Sequence, residues 1–179
     1  MNQTELVEAL DELSDRQLLF HGYTDYMRDY VLFVYETVDP RSGRVPRRRR
    51  FLFRICPEVE VRSRVSPETW AHSLGDDLVA ASHVSMDSAG YTWGVRGQEM
   101  YPGASLVQGS ERARTWTEHV GVPFFEARIE ANAQVISLVF SDLSVEDIAA
   151  GYCPYCVSED GAAERYAEGS TIPLPPSEQ

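Results

Sequence analysis

The chain has 179 residues, a hydrophobic fraction of 43% and a formal net charge of −12. This composition fits one globular domain with a sizeable core and excludes a disordered chain. No apolar run reaches the roughly 20 residues that span a bilayer. The acidic N-terminal segment also lacks the basic and apolar regions of a signal peptide, so the sequence predicts a cytoplasmic protein without membrane association.

The charge is unevenly distributed along the chain. Residues 41–64 contain nine arginines and only two acids, Glu58 and Glu60, whereas the rest of the chain has 26 acids and 7 arginines. An excess of negative charge repels nucleic acid and attracts basic surfaces. The sequence therefore favours another protein, with a basic surface, over nucleic acid as the partner. Ordinary solubility explains the same charge without any partner.

The chain begins with a predicted helix over residues 4–13, TELVEALDEL. Leu6, Val7, Leu10 and Leu13 recur at helical spacing and lie on one face. Ser14 and Asp15 can cap a further helical turn, which would pass through the following leucines and end at Gly22.

A long hairpin is predicted next. Residues 26–38 are rich in β-branched and aromatic residues, and their centre is apolar on both faces, which is typical of a strand inside a sheet. Two prolines and a glycine in DPRSGRVP then predict the turn. The alternation of the return strand places one set of side chains on the buried face: Phe51, Phe53 and Ile55. Pro57 can mark a bulge or a break, and VEVRSRV continues the strand.

The second half predicts helices between further strands. Ser66 and Pro67 can start a short helix, and residues 91–106 predict one or two glycine-containing strands. Ser110 opens another helix that ends at Gly121, with three residues directed inward: Ala113, Trp116 and Val120. Two strands then close the domain, FFEARIEAN and VISLVFSDLSV.

These elements predict an α+β fold. We expect an antiparallel sheet of about five to seven strands, with two or three helices packed mainly on one face, because consecutive strands joined by short turns pair antiparallel. The domain should cover residues 1–157. Residues 158–179 are polar, acidic and rich in proline, which predicts a disordered tail.

A polar cluster is the main candidate for a ligand site. His21 lies in HGYTDYMRD with Asp25 and Arg28, and Arg96 lies in a glycine-rich strand segment. A histidine beside carboxylates can perform acid–base chemistry, and arginine can bind an anionic ligand. The alternative for His21 is a turn histidine bonded to the backbone. The sequence predicts no catalytic residue beyond this candidate cluster.

Two cysteines form a CPYC motif, Cys153 and Cys156. Redox catalysis is disfavoured because the motif follows the last predicted strand rather than opening a helix, and the acidic residues after it would raise the pKa of a thiol. A zinc site would need two further ligands, such as Cys56 and a histidine, and no second CxxC is present. The sequence therefore predicts no metal and no cofactor.

Four consecutive arginines, residues 47–50, are a candidate for binding nucleic acid. In a strand they alternate between the two faces of the sheet and so do not form a single patch. Charge of this kind also keeps a strand soluble and protects it from aggregation.

Several segments together resemble the YxiG-like family of small bacterial proteins: LLFHGYTDYMRDY, RFLFRIC, GYTWGVRGQEMYPGA and FFEARIEANAQVISLVFSDLSV. The resemblance covers roughly residues 17–150. It implies no established catalytic residues, and CPYC is not part of the family pattern. The family's namesake lies among toxin and immunity genes, so the resemblance implies an immunity-type or other partner-binding role.

The sequence thus leads to two functional hypotheses. The first is a non-enzymatic, acidic protein-binding module, in particular an immunity protein that neutralises a basic toxin domain. The second is a small-ligand-binding protein or small enzyme that uses the polar cluster around His21 and Arg28.

Overall fold

The computed structural model describes residues 3–24, 26–36, 38, 40–67 and 98–149. These residues form two α-helices, nine strands and one short 3₁₀ turn. In chain order the elements are α1 (Gln3–Asp11), β1 (Arg16–Tyr23), β2 (Tyr30–Glu36), the 3₁₀ turn (Pro40–Ser42), β3 (Arg47–Arg54), β4 (Glu58–Ser63), β5 (Gln98–Met100), β6 (Gly103–Leu106), α2 (Glu111–Val120), β7 (Phe125–Glu130), β8 (Gln134–Phe140) and β9 (Asp142–Ile148).

The strands form two sheets. The first has the order β5-β1-β2-β3-β9, and the second has the order β4-β8-β7-β6. β2 pairs antiparallel with β1 and with β3, as the predicted hairpin requires. The α+β class with antiparallel strands is therefore confirmed, with nine strands divided between two sheets where the sequence predicted one sheet of five to seven.

The chain passes directly from one sheet to the other at three places. β3 leads into β4 through residues 55–57, β5 leads into β6 through residues 101–102, and β8 leads into β9 through Ser141. The Ser141 amide donates to the Arg54 carbonyl at 3.0 Å, which ties two of these corners together. Bends that let a strand change sheets are the usual way in which two packed sheets share their edges.

The core lies between the two sheets. Phe53 of the first sheet packs edge-on against Phe140 of the second, with ring centroids 4.9 Å apart. Leu6 and Leu10 of α1 are buried in the same core, whereas Val7, predicted on the same face, is 38% exposed. The predicted burial of Phe51 and Phe53 is confirmed, and so is the internal position of β2, which lies between β1 and β3.

The predicted helical turn up to Gly22 is wrong. α1 ends at Asp11, and β1 begins at Arg16 and pairs with β2 on one side and β5 on the other. Gly103 packs on this connection: a Cβ on that glycine would lie 2.8 Å from the Ser14 Cα. These residues form a strand because β2 and β5 supply ladder hydrogen bonds on both sides, which a short helical turn could not match.

The predicted burial of Ile55 is also wrong. Ile55 is 42% exposed and has a φ of 48°, while the next residue, Cys56, is buried instead. The left-handed backbone at Ile55 interrupts the alternation of β3, so the side chain that follows is the one that turns inward.

Helix α2 begins and ends as predicted. The Ser110 hydroxyl accepts from the Ala113 amide at 3.0 Å, and Gly121 adopts the left-handed conformation with a φ of 80°. Ala113 is buried, but Val120 is 50% exposed rather than inward. The chain turns back after Gly121, and Phe124 rather than Val120 packs against Trp116.

Several predictions fall outside the described residues: the body of the helix after Ser66, the strand over residues 91–97, and the tail from 158 to 179. Residues Met1–Asp147 group into one compact unit, and Ile148–Gln179 into a second, of which only Ile148 and Ala149 are described. The predicted domain boundary at residue 157 stays a prediction. No helix in the described part of the chain is long and apolar enough to cross a membrane.

Candidate functional site

A buried carboxylate organises the turn between β1 and β2. Asp29 is 1% exposed, and its two oxygens accept four hydrogen bonds. Oδ1 accepts from the Ile55 amide at 2.9 Å and from Arg28 Nε at 3.1 Å. Oδ2 accepts from the Tyr26 hydroxyl at 3.0 Å and from Arg28 Nη2 at 3.1 Å. One side chain thus connects the turn to the corner between β3 and β4.

These hydrogen bonds also set the charge of Asp29. Burial alone would raise the pKa of the carboxyl group, but the bonds from Arg28, Ile55 and Tyr26 outweigh it and lower the pKa below its ordinary value. Asp29 is therefore ionised at neutral pH. The Arg28 guanidinium pairs with the adjacent Asp29 carboxylate, which also reaches across to the Ile55 amide.

Four residues around Asp29 make up what we call the apolar tip: Tyr26, Met27, Arg28 and Ile55. Asp29 binds the side chains of Tyr26 and Arg28 and the backbone amide of Ile55. Met27 is 70% exposed, Tyr26 is 63% exposed, and the Arg28 guanidinium lies 5.1 Å from the centre of the Tyr26 ring. Met27 and Ile55 both have positive φ, 54° and 48°. This backbone region costs an L-residue about 1–2 kcal/mol, and for a β-branched residue it is rare.

The combination of strain and exposure points to a functional surface. Folding gains little from placing large apolar side chains in water, and it gains nothing from doing so on a strained backbone. Strain of this kind persists where the surroundings impose it, and it concentrates at functional sites. Here the Ile55 amide is fixed by Asp29, and the Cys56 amide donates to the Arg28 carbonyl at 2.7 Å.

His21 lies in a separate hydrogen-bonded group. Its Nδ1 lies 2.5 Å from the Tyr30 hydroxyl, and its Nε2 lies 2.8 Å from Nε2 of Gln134 in the second sheet. Burial lowers the pKa of His21, and the bond with Gln134 offsets part of that lowering. The ring is therefore neutral, with both nitrogens engaged.

The predicted ligand site is only partly described. His21 contacts Tyr30 and Gln134, whereas Arg28 contacts Asp29 and Tyr26. Asp25 and Arg96 lie outside the described residues, so the predicted grouping of the four stays a prediction. Tyr30 and Gln134 were missed by sequence reasoning, because nothing in the sequence links residue 21 to residue 134.

The cysteine predictions are likewise only partly described. Cys153 and Cys156 lie outside the described residues. Cys56 is buried, and burial raises the pKa of its thiol to about 12, which leaves it unreactive at neutral pH. Within the residues that the structure describes, no three histidine, cysteine or acidic side chains are grouped as they would be around a metal ion.

The four consecutive arginines of β3, residues 47–50, have partners within the protein. Arg47 and Arg49 both reach Asp147, Arg49 also reaches Glu12, and Arg50 reaches Glu146. Arg48 lies 6.0 Å from the centre of the Tyr35 ring. The predicted alternation of these arginines is confirmed, since Arg47 and Arg49 both contact Asp147, whereas Arg50 contacts Glu146.

A second polar network attaches α2 to the second sheet. Arg112 bridges Glu58 and Glu126, at 2.7 Å and 2.9 Å. Trp116 donates to the other oxygen of Glu58 at 2.6 Å. This bond from Trp116 lowers the pKa of Glu58, burial opposes the lowering, and Arg112 adds to it. Because each group already has a partner, the network holds the helix in place rather than offering a site.

The described residues form two antiparallel sheets around one core together with two helices, which defines an α+β protein of predominantly β structure. The family model described as YxiG-like protein matches residues 2–158, so the chain belongs to the YxiG-like family. The match confirms the resemblance seen in the sequence and extends it at both ends. No curated protein matches the chain.

Proposed function

We propose that this protein is a non-enzymatic module that binds another protein through the apolar tip, in the role of an immunity protein that neutralises a basic toxin domain in the cytoplasm. The observation that carries the proposal is the exposure of Tyr26, Met27 and Ile55 around a buried, ionised Asp29.

The composition of the tip supports protein binding. Tyrosine, methionine and arginine are enriched at the centres of protein interfaces, and a few such residues supply most of the binding energy. Met27 is flexible and can adapt to a partner surface. The surrounding hydrogen bonds hold Tyr26 and Arg28 in place before binding, which reduces the entropy lost on association.

Charge supports a basic partner. The described residues carry fourteen arginines and seventeen carboxylates, so most of the net charge of −12 belongs to residues outside the described ranges. A negative field speeds the approach of a basic protein without requiring direct contact. The ion pairs of Arg47, Arg49 and Arg50 support the view that these arginines do not form a surface for nucleic acid.

The experiment is co-expression with the products of neighbouring genes, followed by kinetic measurement on any complex. Met27→Gly and Ile55→Gly remove the apolar side chains and relieve the strain at positive φ. Each should therefore change the free energy of unfolding by no more than about 1 kcal/mol. Each should also weaken binding at least tenfold, mainly through faster dissociation.

The matched control is Val45→Gly. Val45 is 81% exposed in the connection between β2 and β3, away from the tip residues in sequence, and its loss should leave affinity unchanged. Raising the salt concentration should slow association with a basic partner. The proposal fails if no product binds, or if the two tip variants bind as tightly as the Val45 variant.

For the immunity role, the readout is growth of cells that co-express the toxin domain. Wild-type protein and the Val45 variant should protect, and the two tip variants should not. Binding without protection would retain the partner-binding function and reject the immunity role.

A further inference from the structure

A group of ion pairs lies at the end of the first sheet where β2 ends and where β1 and β3 begin. Glu36 is the last residue of β2, and it is buried. Its register partner on β3 is Arg47, and Arg16 is the first residue of β1. Arg44 reaches the same carboxylate from the connection between β2 and β3. The end of one strand thus brings arginines from three parts of the chain together.

Glu36 holds two guanidinium groups side by side. Nη2 of Arg16 and Nη2 of Arg44 both contact Oε1 of Glu36, at 3.4 Å and 3.3 Å. In the part of the chain that the structure describes, neither guanidinium has a further hydrogen-bond or ion-pair partner. Both side chains reach solvent, with exposed fractions of 31% and 67%. Since a guanidinium carries five N–H donors, most of the donors on both arginines are open to an acceptor from outside.

The same end of the sheet carries more cations than anions. Arg47 and Arg49 contact Asp147, and Arg49 also contacts Glu12. With the pairs of Glu36, the described residues place four arginines on three carboxylates: Arg16, Arg44, Arg47 and Arg49 on Glu12, Glu36 and Asp147. The whole chain has a net charge of −12 and repels anions. An anion at this position would therefore be held by local contacts and not by the overall field.

We propose that the guanidinium groups of Arg16 and Arg44 bind a phosphate group, either as the free ion or on a small molecule. The oxygens of a phosphate point in several directions, so one phosphate can accept charge-assisted hydrogen bonds from both guanidiniums at once. A carboxylate, by contrast, is matched by the fork of a single arginine. Because Glu36 holds both arginines before binding, less side-chain entropy is lost when the anion arrives.

The phosphate site is independent of the apolar tip. Asp29, around which the tip is built, directly precedes β2, whereas Glu36 ends it, so the whole length of the strand separates the two. Loss of one site should leave the other unchanged.

The test is an NMR titration of the full chain with inorganic phosphate, followed through the side-chain Nε–H signals of Arg16 and Arg44. Sodium chloride at the same ionic strength is the reference. We expect phosphate to shift both signals with a dissociation constant in the millimolar range or below, and chloride to leave them in place. Glycerol 3-phosphate is titrated in the same way. Tighter binding of this ester would identify a phosphorylated small molecule as the ligand, and tighter binding of inorganic phosphate would identify the free ion.

Arg44→Gln should weaken phosphate binding at least about tenfold, because it removes a charged donor that contacts the anion. The variant should fold, since Arg44 is exposed in a connection between strands, and chemical unfolding checks this directly. The matched control is Arg62→Gln, which removes a similarly exposed arginine paired with Glu60 and changes the net charge equally. This control should bind phosphate like the wild type.

The proposal is overturned if phosphate shifts the two arginine signals no more than chloride does. It is also overturned if Arg44→Gln and Arg62→Gln weaken phosphate binding equally, which would leave only general attraction between charges.

Discussion

Removing the Asp29 carboxylate should destabilise the protein more than removing any single exposed acid. In Asp29→Ala the Ile55 amide loses its acceptor inside the protein, which costs about 1–3 kcal/mol. The bonds from Arg28 and Tyr26 add little, because both side chains reach water and can be solvated there. The expected loss is therefore about 1–3 kcal/mol of unfolding free energy, which comes mainly from the Ile55 amide.

The Asp29→Asn variant removes the negative charge but keeps an oxygen that can accept a hydrogen bond. The asparagine carbonyl can still accept from the Ile55 amide, so the loss should be only about 1–2 kcal/mol. The matched control is Asp147→Asn, whose carboxylate is 61% exposed and pairs with Arg47 and Arg49, and which should cost less than about 1 kcal/mol. Urea unfolding followed by tryptophan fluorescence measures all three variants.

The pH dependence provides a second check on Asp29. Its folded pKa lies below the unfolded value of about 3.9, so its contribution is complete above that value and is lost as the pH falls through the folded pKa. The Asp29→Asn variant should lack this part of the acid sensitivity. If Asp29→Ala costs no more than Asp147→Asn, the argument that Asp29 anchors the corner is wrong.

Three further outcomes are expected. In the wild type, the free energy of unfolding should fall as the pH drops below about 6.5, because the unfolded chain binds a proton at His21 before the folded chain does. His21→Asn should flatten the dependence of the urea midpoint on pH in this range. An unchanged dependence would show that His21 is not held neutral. Gly103→Ala should cost at least about 2 kcal/mol in urea unfolding, because its Cβ would meet the Ser14 backbone on a φ of 105°. Gly43 also has a positive φ, but a Cβ there would meet open space, so Gly43→Ala should cost only about 1 kcal/mol. Equal losses of unfolding free energy in the two glycine variants would refute the contact between position 103 and Ser14. Phe53→Ala should cost about 3–5 kcal/mol by calorimetry or urea unfolding, since the ring is fully buried against Phe140, and a loss below 1 kcal/mol would contradict the two-sheet core.

The candidate sites show how far sequence reasoning reached. The segment HGYTDYMRD was recognised as a polar cluster, and the structure places a buried carboxylate and two exposed apolar residues there. The role of Ile55 was missed, because its left-handed backbone breaks an alternation that otherwise holds through Phe51 and Phe53. Gln134 could not be found, since it reaches His21 only after the two sheets have packed.

The sequence by itself determined the local structure: the helix caps at Ser110 and Gly121, the apolar face of α1, the central strand β2, and the family. These features depend on neighbouring residues and on periodicity, which the chain carries before it folds. Only the tertiary structure decided that residues 16–23 form a strand, that the strands divide into two sheets, and that Asp29 meets the Ile55 amide. Those outcomes depend on hydrogen bonds and burial between residues far apart in the chain, which local preference does not contain.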